Sequence, residues 1–412
     1  MSNFGVTRSP RNIVFGCGQR HALGRAASQL GRAAFVCTDG RLAAEPVFSG
    51  MMDDLKSHGL AVRVYDRTAA ELPASCIDEA LHQAAGFGAD LVIGVGGGSC
   101  MDLAKIVALM LTHGGHPRDY YGELKVPGAV RKIVAVPTTA GTGSEVTPVA
   151  VLGDPERVMK VGIASPHLIP HTAICDPELT FTCPPSLTAV SGADALTHAI
   201  EAFTAIERST TSTTAYDNVF VGKNMLSDAY ALQAIQLLSR FLRTAVRNGD
   251  DEAARVAVMR GALLAGLAFG TSGTAAAHAI QYPVGALTHT PHGAGVAQLL
   301  PYVMTFNRPA CPAAMAEVAR AMNVPEGQSE EQLARAAVAE VAELFRSIGI
   351  PRTLAALGLP ADKLEWTAEQ SLASQRLVKN NPRPLDTAAL KTIINAAFSG
   401  DLAQAERPLE MA

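Results

Sequence analysis

The sequence predicts an α/β N-terminal domain with a mostly parallel sheet over residues 1–187, followed by an all-α C-terminal domain over residues 188–412. Three observations predict this. Short β-branched runs alternate with amphipathic helical patterns in the first part, the arrangement of βαβ units with helices on both faces of a sheet. Beyond Ser186 those runs stop and long Ala/Leu-rich patterns take over. The change falls at Pro184-Pro185, a pair that resists continuing regular structure.

Taken in order, Asn12–Phe15, Ala33–Cys37, Ala61–Tyr65, Leu91–Val95 and Lys132–Val136 are apolar runs bounded by Gly, Pro or Asp, and each reads as a strand. Pro46–His58 and Cys76–Gly86 read as the helices between them. In the second part Ala193–Ala205, Ser227–Val246, Glu252–Ala268 and Glu330–Ser347 read as helices. The stretch Gly261–Ile280 holds no formal charge with His neutral, but Gly270-Thr-Ser-Gly273 interrupts it, so a buried core helix is expected rather than a membrane span.

Composition narrows the function. Lys+Arg number 34 against Asp+Glu 38, a net charge of −4, which leaves no basic footprint for nucleic acid. With 17% charged residues and 48% hydrophobic ones, disorder is excluded. Seven cysteines, odd in number and without a C-x-x-C pair, read as reduced thiols in a cytoplasmic protein. The start, Met1-Ser-Asn-Phe-Gly, carries no basic region followed by an apolar run, so no signal peptide is expected.

Three motifs carry chemistry. Leu91-Val-Ile-Gly-Val-Gly-Gly-Gly-Ser-Cys-Met-Asp-Leu-Ala-Lys105 runs from a strand through a glycine loop into a helix. Glycines admit a phosphate close to the backbone, and a helix start offers free N–H groups and the positive end of its dipole. By itself such a loop is equally a tight turn. Val136-Pro-Thr-Thr-Ala-Gly-Thr-Gly-Ser-Glu145 follows another strand with four hydroxyls and two glycines. Two such loops at the carboxyl ends of parallel strands converge on one crevice, which favours a nucleotide site. Asp39, after the second strand, is either an acceptor for a ribose hydroxyl or a plain turn residue before Gly40. The third motif is metal-like. Asp194 and His198 stand at i and i+4 on one helix face, with His278 and His292 downstream. One hard oxygen with three imidazoles suits Fe²⁺ or Zn²⁺ better than Mg²⁺ or Ca²⁺. Taken singly, each histidine reads as a satisfied core or cap residue, and the D-x-x-x-H pair alone is a common helical coincidence. Cys100 reads as a small buried filler. Lys105 could reach a phosphate or cover a helix surface with its stem.

Together, Gly96-Gly-Gly-Ser-Cys-Met-Asp-Leu-Ala-Lys105, Pro137-Thr-Thr-Ala-Gly-Thr-Gly-Ser-Glu145, Asp176-Pro-Glu-Leu-Thr180, Asp194-Ala-Leu-Thr-His-Ala-Ile-Glu-Ala202 and Pro291-His-Gly293 resemble the iron-containing (group III) alcohol dehydrogenase family, over nearly the whole chain. The resemblance implies a dehydroquinate synthase-like fold, with a dinucleotide-binding domain, a helical metal-binding domain and an active site in the cleft between them. It places the metal ligands on Asp194, His198, His278 and His292, with Fe²⁺ first and Zn²⁺ second. It places cofactor contacts on Asp39, Gly96, Gly97, Gly98, Ser99, Asp102, Thr138, Thr139, Thr142, Thr147 and Lys160. Asp39 in the ribose position favours NAD over NADP. The family often carries another histidine four residues after the third ligand. This chain has Tyr282 there, a poorer base at neutral pH, which also resembles the hydroxyacid–oxoacid transhydrogenase branch. The implied activity is hydride transfer between NAD and a small primary alcohol or aldehyde, with a transhydrogenase holding its cofactor as the alternative. A homo-oligomer, a dimer or larger, and no nucleic-acid or membrane partner complete the expectation.

Overall fold

In the computed structural model, residues 3–157, 159–325 and 327–406 are described. The contacts divide the chain into two units. One comprises Arg8–Thr182 and Ala215–Val219; the other comprises Met1–Thr7, Cys183–Thr214 and Phe220–Ala412. The changeover at Cys183 lies a few residues ahead of the sequence boundary at 187/188.

The first unit has nine strands among the described residues: β1 (Asn12–Phe15), β2 (Ala33–Cys37), β3 (Ala61–Tyr65), β4 (Leu91–Gly96), β5 (Gly122–Glu123), β6 (Lys132–Pro137), β7 (Val149–Leu152), β8 (Val161–Ala164) and β9 (Thr172–Cys175). Six of them form a sheet in the order β1-β9-β6-β4-β2-β3, and every pair is parallel. Helices α1 (Leu23–Ser28), α2 (Gly40–Ala43), α3 (Pro46–Ser57), α4 (Ala74–Ala84) and α5 (Gly98–His113) connect them. Alternate side chains of one strand serve opposite faces, because successive Cβ atoms point to opposite sides of a sheet. Phe35, Cys37 and Val92 pack with Ile77 and Leu103 from α4 and α5. Ala34, Val36, Leu91 and Ile93 pack with Leu23 and Leu55 from α1 and α3. Both faces are covered, which is why these strands read as unbroken apolar runs. A second sheet of order β5-β8-β7, mixed in direction, was not foreseen.

The five expected strands and the α3 and α4 regions are where the sequence placed them. The chain turns back between β3 and β4, so β4 lies beside β2 and the order then proceeds to β6. At such a reversal the segments leaving neighbouring strands diverge and open a crevice at the carboxyl ends. Asp39, Gly97 and Thr138 follow β2, β4 and β6 there.

The second unit is helical: α6 (Pro185–Thr204), then, past the short helix α7 (Thr214–Asp217) that falls mostly within Ala215–Val219 of the first unit, α8 (Met225–Arg247), α9 (Glu252–Ser272), α10 (Ala276–Thr288), α11 (His292–Asn307), α12 (Pro312–Ala321), α13 (Glu330–Ser347), α14 (Leu364–Leu372), α15 (Gln375–Asn380) and α16 (Thr387–Ser399). Pro185 occupies the first turn of α6, where a missing N–H costs nothing. The centre of this unit is α6, packed on α8, α9 and α11. By length and composition α9 could cross a membrane, but 72% of its apolar window is buried inside the protein. It ends at Gly273, whose φ of +84° suits glycine. Of the expected interruption Gly270–Gly273, only Gly273 falls in the break between α9 and α10; Gly270, Thr271 and Ser272 are still helical.

Candidate functional site

The glycine loop opens α5. Gly97 is its N-cap with extended backbone, and no side chain caps the first N–H groups of this sixteen-residue helix. Gly96 has φ +147°, and a Cβ there would meet Cys100 Sγ at 2.6 Å. Gly94 lets α5 lie on β4, since its Cβ would come within 2.9 Å of Met101 Cα. Asp39 is a helix cap that also lies beside the glycine loop. Its Oδ1 accepts from Leu42 N–H at 2.9 Å and caps α2. Its Oδ2 lies 3.8 Å from where a Gly96 Cβ would stand, beside the glycine loop. Burial and the Asp39 carboxylate push the Cys100 thiol up to about 12, so it is an uncharged filler rather than a reactive helix-start thiolate.

The threonine loop lies against the glycine loop. A Cβ on Gly98 would strike Thr142 Cγ2 at 2.8 Å, and one on Gly97 would stand 3.7 Å from Thr139 Oγ1. Thr138 N–H donates to Gly96 O at 3.0 Å, joining the two loops through the backbone. Ser99 sits in the first turn of α5.

The other expected cofactor residues, Asp102, Thr147 and Lys160, have protein partners. Asp102 accepts from Ser144 Oγ at 2.6 Å and from Val151 N–H at 3.0 Å. Thr147 accepts from Lys105 through its carbonyl and its hydroxyl, at 3.0 and 3.3 Å. Lys160 pairs with Glu71. Lys105 neither reaches out for phosphate nor lies along a surface. It is 0% exposed and also donates to Ser144 Oγ and Val149 O, at 2.9 and 2.8 Å. Burial lowers its amine to about 8, opposed by the Asp102 and Glu145 carboxylates. It is an internal tie between α5 and the loop.

Glu145 is buried beside this tie, and desolvation raises its carboxyl to about 7. The folded state therefore binds a proton that the unfolded chain has released above its ordinary value of 4.5. Its contribution to stability is complete below pH 4.5 and is lost as pH rises through 7. Glu145→Gln is expected to flatten the fall in Tm across that window, measured by calorimetry at stepped pH.

The second unit gathers the metal-like residues. Along α6, Asp194, His198 and Glu201 stand at i, i+4 and i+7, on one face. The α10 helix brings His278, and α11 begins at His292 with Pro291 as its N-cap. Asp194 Oδ1 lies 3.7 Å from His198 Nε2 and 3.9 Å from both His278 Nε2 and His292 Nε2. Asp194, His278 and His292 each offer one ligand atom, all within 4.8 Å of one another. His198 is outside that set; its ring stacks on Phe269 at 4.1 Å and on His278 at 4.7 Å. The expected four therefore come together, three of them tightly.

These separations exceed a hydrogen bond, and they approach the edge of a coordination tetrahedron, about 3.4 Å for bonds near 2.1 Å. His278 is 3% exposed and its Nε2 makes no hydrogen bond. An imidazole nitrogen enclosed in this way costs free energy unless an ion takes its lone pair. The donor set fits a divalent ion of the Fe²⁺ or Zn²⁺ type. Tyr282 is half-buried, with its ring stacked 6.2 Å from that of His292.

The sequence matches known proteins along most of its length. Residues 10–177 match the family described as iron-containing alcohol dehydrogenase, and residues 188–398 match the C-terminal part of the Fe-containing alcohol dehydrogenase family. The chain belongs to the iron-containing alcohol dehydrogenase family. It is 37% identical to Long-chain-alcohol dehydrogenase 1 of Geobacillus thermodenitrificans over 375 residues, 90% of each chain. The crystal structure of a 1,3-propanediol oxidoreductase superposes with a TM-score of 0.90 at 32% identity, covering 96% of this chain and 100% of that one. A sulfoacetaldehyde reductase from Bifidobacterium kashiwanohense, solved in complex with NAD⁺, gives 0.82 at 27% identity, covering 97% and 100%.

This alcohol dehydrogenase is accordingly an NAD-linked, metal-dependent oxidoreductase of alcohols and aldehydes. These relatives favour dehydrogenase over transhydrogenase. Two of its site features escaped sequence reasoning. Glu201 Oε2 lies 2.6 Å from His278 Nδ1, and its position at i+7 from Asp194 was the available signal. Gly293 lets the start of α11 touch α6: a Cβ there would come within 2.3 Å of Val190 O and 3.1 Å of Asp194 Cβ. No local pattern could have flagged it. Gly293→Ala is expected to push His292 away from Asp194 and weaken metal binding at least about tenfold, measured by metal analysis after dialysis.

Proposed function

We propose that the protein interconverts a small, uncharged primary alcohol and its aldehyde using freely exchanging NAD, with Asp194, His198, His278 and His292 holding the ion. The observation that carries this reading is the Asp194 carboxylate ringed by three imidazole nitrogens at 3.7–3.9 Å. When bound, the divalent ion supplies Lewis-acid polarisation of a substrate oxygen and the nicotinamide supplies the hydride chemistry.

The chain's own residues do the rest. The uncapped start of α5 receives the pyrophosphate, and Gly96, Gly97 and Gly98 keep that approach clear of Cβ atoms. Asp39 Oδ2 accepts from a ribose hydroxyl, and its charge disfavours a 2′-phosphate. Ser99, Thr138, Thr139 and Thr142 add hydroxyl and backbone donors. Asp102, Thr147 and Lys105 hold the threonine loop in place, and Lys160 acts through its pairing with Glu71. Tyr282, beside His292, orients substrate by hydrogen bonding and does not remove a proton at neutral pH. Seven free thiols support a cytoplasmic location. The family supports a homo-oligomer.

Free NADH and NADPH offered with short uncharged aldehydes test this reading. Stoichiometric loss of NADH absorbance, with NADPH at least about tenfold poorer, supports it. Hydride exchange between a hydroxy acid and an oxo acid without consumption of free NADH would contradict it.

A further inference from the structure

Glu201 is enclosed within the helical unit at 2% exposure, on the face of α6 that carries Asp194 and His198. Its carboxylate takes part in three short contacts. Oε1 accepts from Ala277 N–H at 2.7 Å, and Oε2 accepts from Ala275 N–H at 2.9 Å. Oε2 also meets His278 Nδ1 at 2.6 Å. The two N–H groups belong to the start of α10, whose N-cap, Ala275, has no side chain to offer them. A carboxylate from another helix therefore caps α10.

The third contact does something different. Glu201 already serves as the acceptor for two backbone N–H groups, and as acceptor of the third contact as well it leaves the hydrogen on Nδ1 of His278 and the ring's lone pair on Nε2. That is the atom 3.9 Å from Asp194 Oδ1. The same side chain thus fixes where α10 begins and which nitrogen of His278 faces the cluster.

We propose that Glu201 is a positioning residue of the metal centre, setting the tautomer and ring orientation of His278 while it caps the helix that delivers it. The inference rests on the metal-site reading above. Removing the carboxylate loosens the ring and frees it to carry its hydrogen on Nε2, where it no longer ligates. Neither effect follows from loss of a helix cap alone.

The test compares metal affinity in the stripped full-length chain, by titrating Zn²⁺ against a chromophoric chelator at fixed pH. The variants are Glu201→Gln, Glu201→Ala, His278→Ala and, as a capping control, Asp386→Ala. Asp386 caps α16 by accepting from Ala389 N–H at 2.8 Å. Both Glu201 variants are expected to raise the metal Kd about 10- to 100-fold while leaving the NADH Kd unchanged. Asp386→Ala is expected to lower Tm and leave the metal Kd alone. Glu201→Gln within about twofold of wild type would overturn the proposal, as would an equal weakening by Asp386→Ala. Retention of wild-type affinity by His278→Ala would instead overturn the metal-site reading, and this inference with it.

Discussion

Replacement of His278 by alanine is expected to abolish stable metal binding and to lower kcat/KM by roughly 10³-fold, the equivalent of several kcal/mol of lost transition-state stabilisation. His278 stands at the junction of two sets of contacts. Its Nε2 joins Asp194 and His292, while its Nδ1 bonds to Glu201. Alanine removes a ligand and leaves a buried carboxylate with two of its three partners. Metal content by elemental analysis and steady-state rates on the same preparation should fall together. A full metal complement at full rate would show that the ligand assignment is wrong.

The second large effect is expected at Lys105. Methionine fills the space but donates nothing, so Ser144 Oγ, Thr147 O and Val149 O lose their buried donor. Breaking a buried charged network by removing one partner costs about 3–5 kcal/mol. For a unit of this size that lowers Tm by roughly 10 °C. Because the threonine loop is what Lys105 holds against α5, the NADH Kd should rise at least about tenfold, with metal content unchanged. Calorimetry and a fluorescence titration with NADH measure the two effects. An unchanged Tm would mean that the tie contributes nothing.

How much of this could be read from the sequence followed the range of the interactions. The strands β2, β4 and β6 were legible because a sheet covered on both faces demands largely continuous apolar runs. The four-residue β9 was not, although it lies fully buried between β1 and β6. Its Thr-Ala-Ile-Cys is as short as β1 but, with one β-branched aliphatic residue, lacks the Ile-Val-Phe run that marked β1. The β5-β8-β7 sheet was not legible either. That Asp194 and His198 share one helix face was legible because helix geometry alone puts i and i+4 together. Lys105 was misread because its acceptors lie 39 to 44 residues away, and nothing near it in sequence announces them. Asp102 and Thr147 entered as cofactor contacts through the family resemblance, and their contacts with Ser144, Val151 and Lys105 on other elements were not visible in the sequence. Gly293 was quoted within a motif, but the carbonyl that demands it, Val190 O, belongs to a different helix.

The central claim is that a divalent ion on Asp194 and its histidines is required for hydride exchange between NAD and a simple aldehyde. The most direct measurement is NADH oxidation by a short aldehyde in metal-stripped protein titrated anaerobically with Fe²⁺, and separately with Zn²⁺. The account predicts negligible rate without metal and a rise that saturates near one ion per chain. The same rate before and after complete metal removal would contradict it.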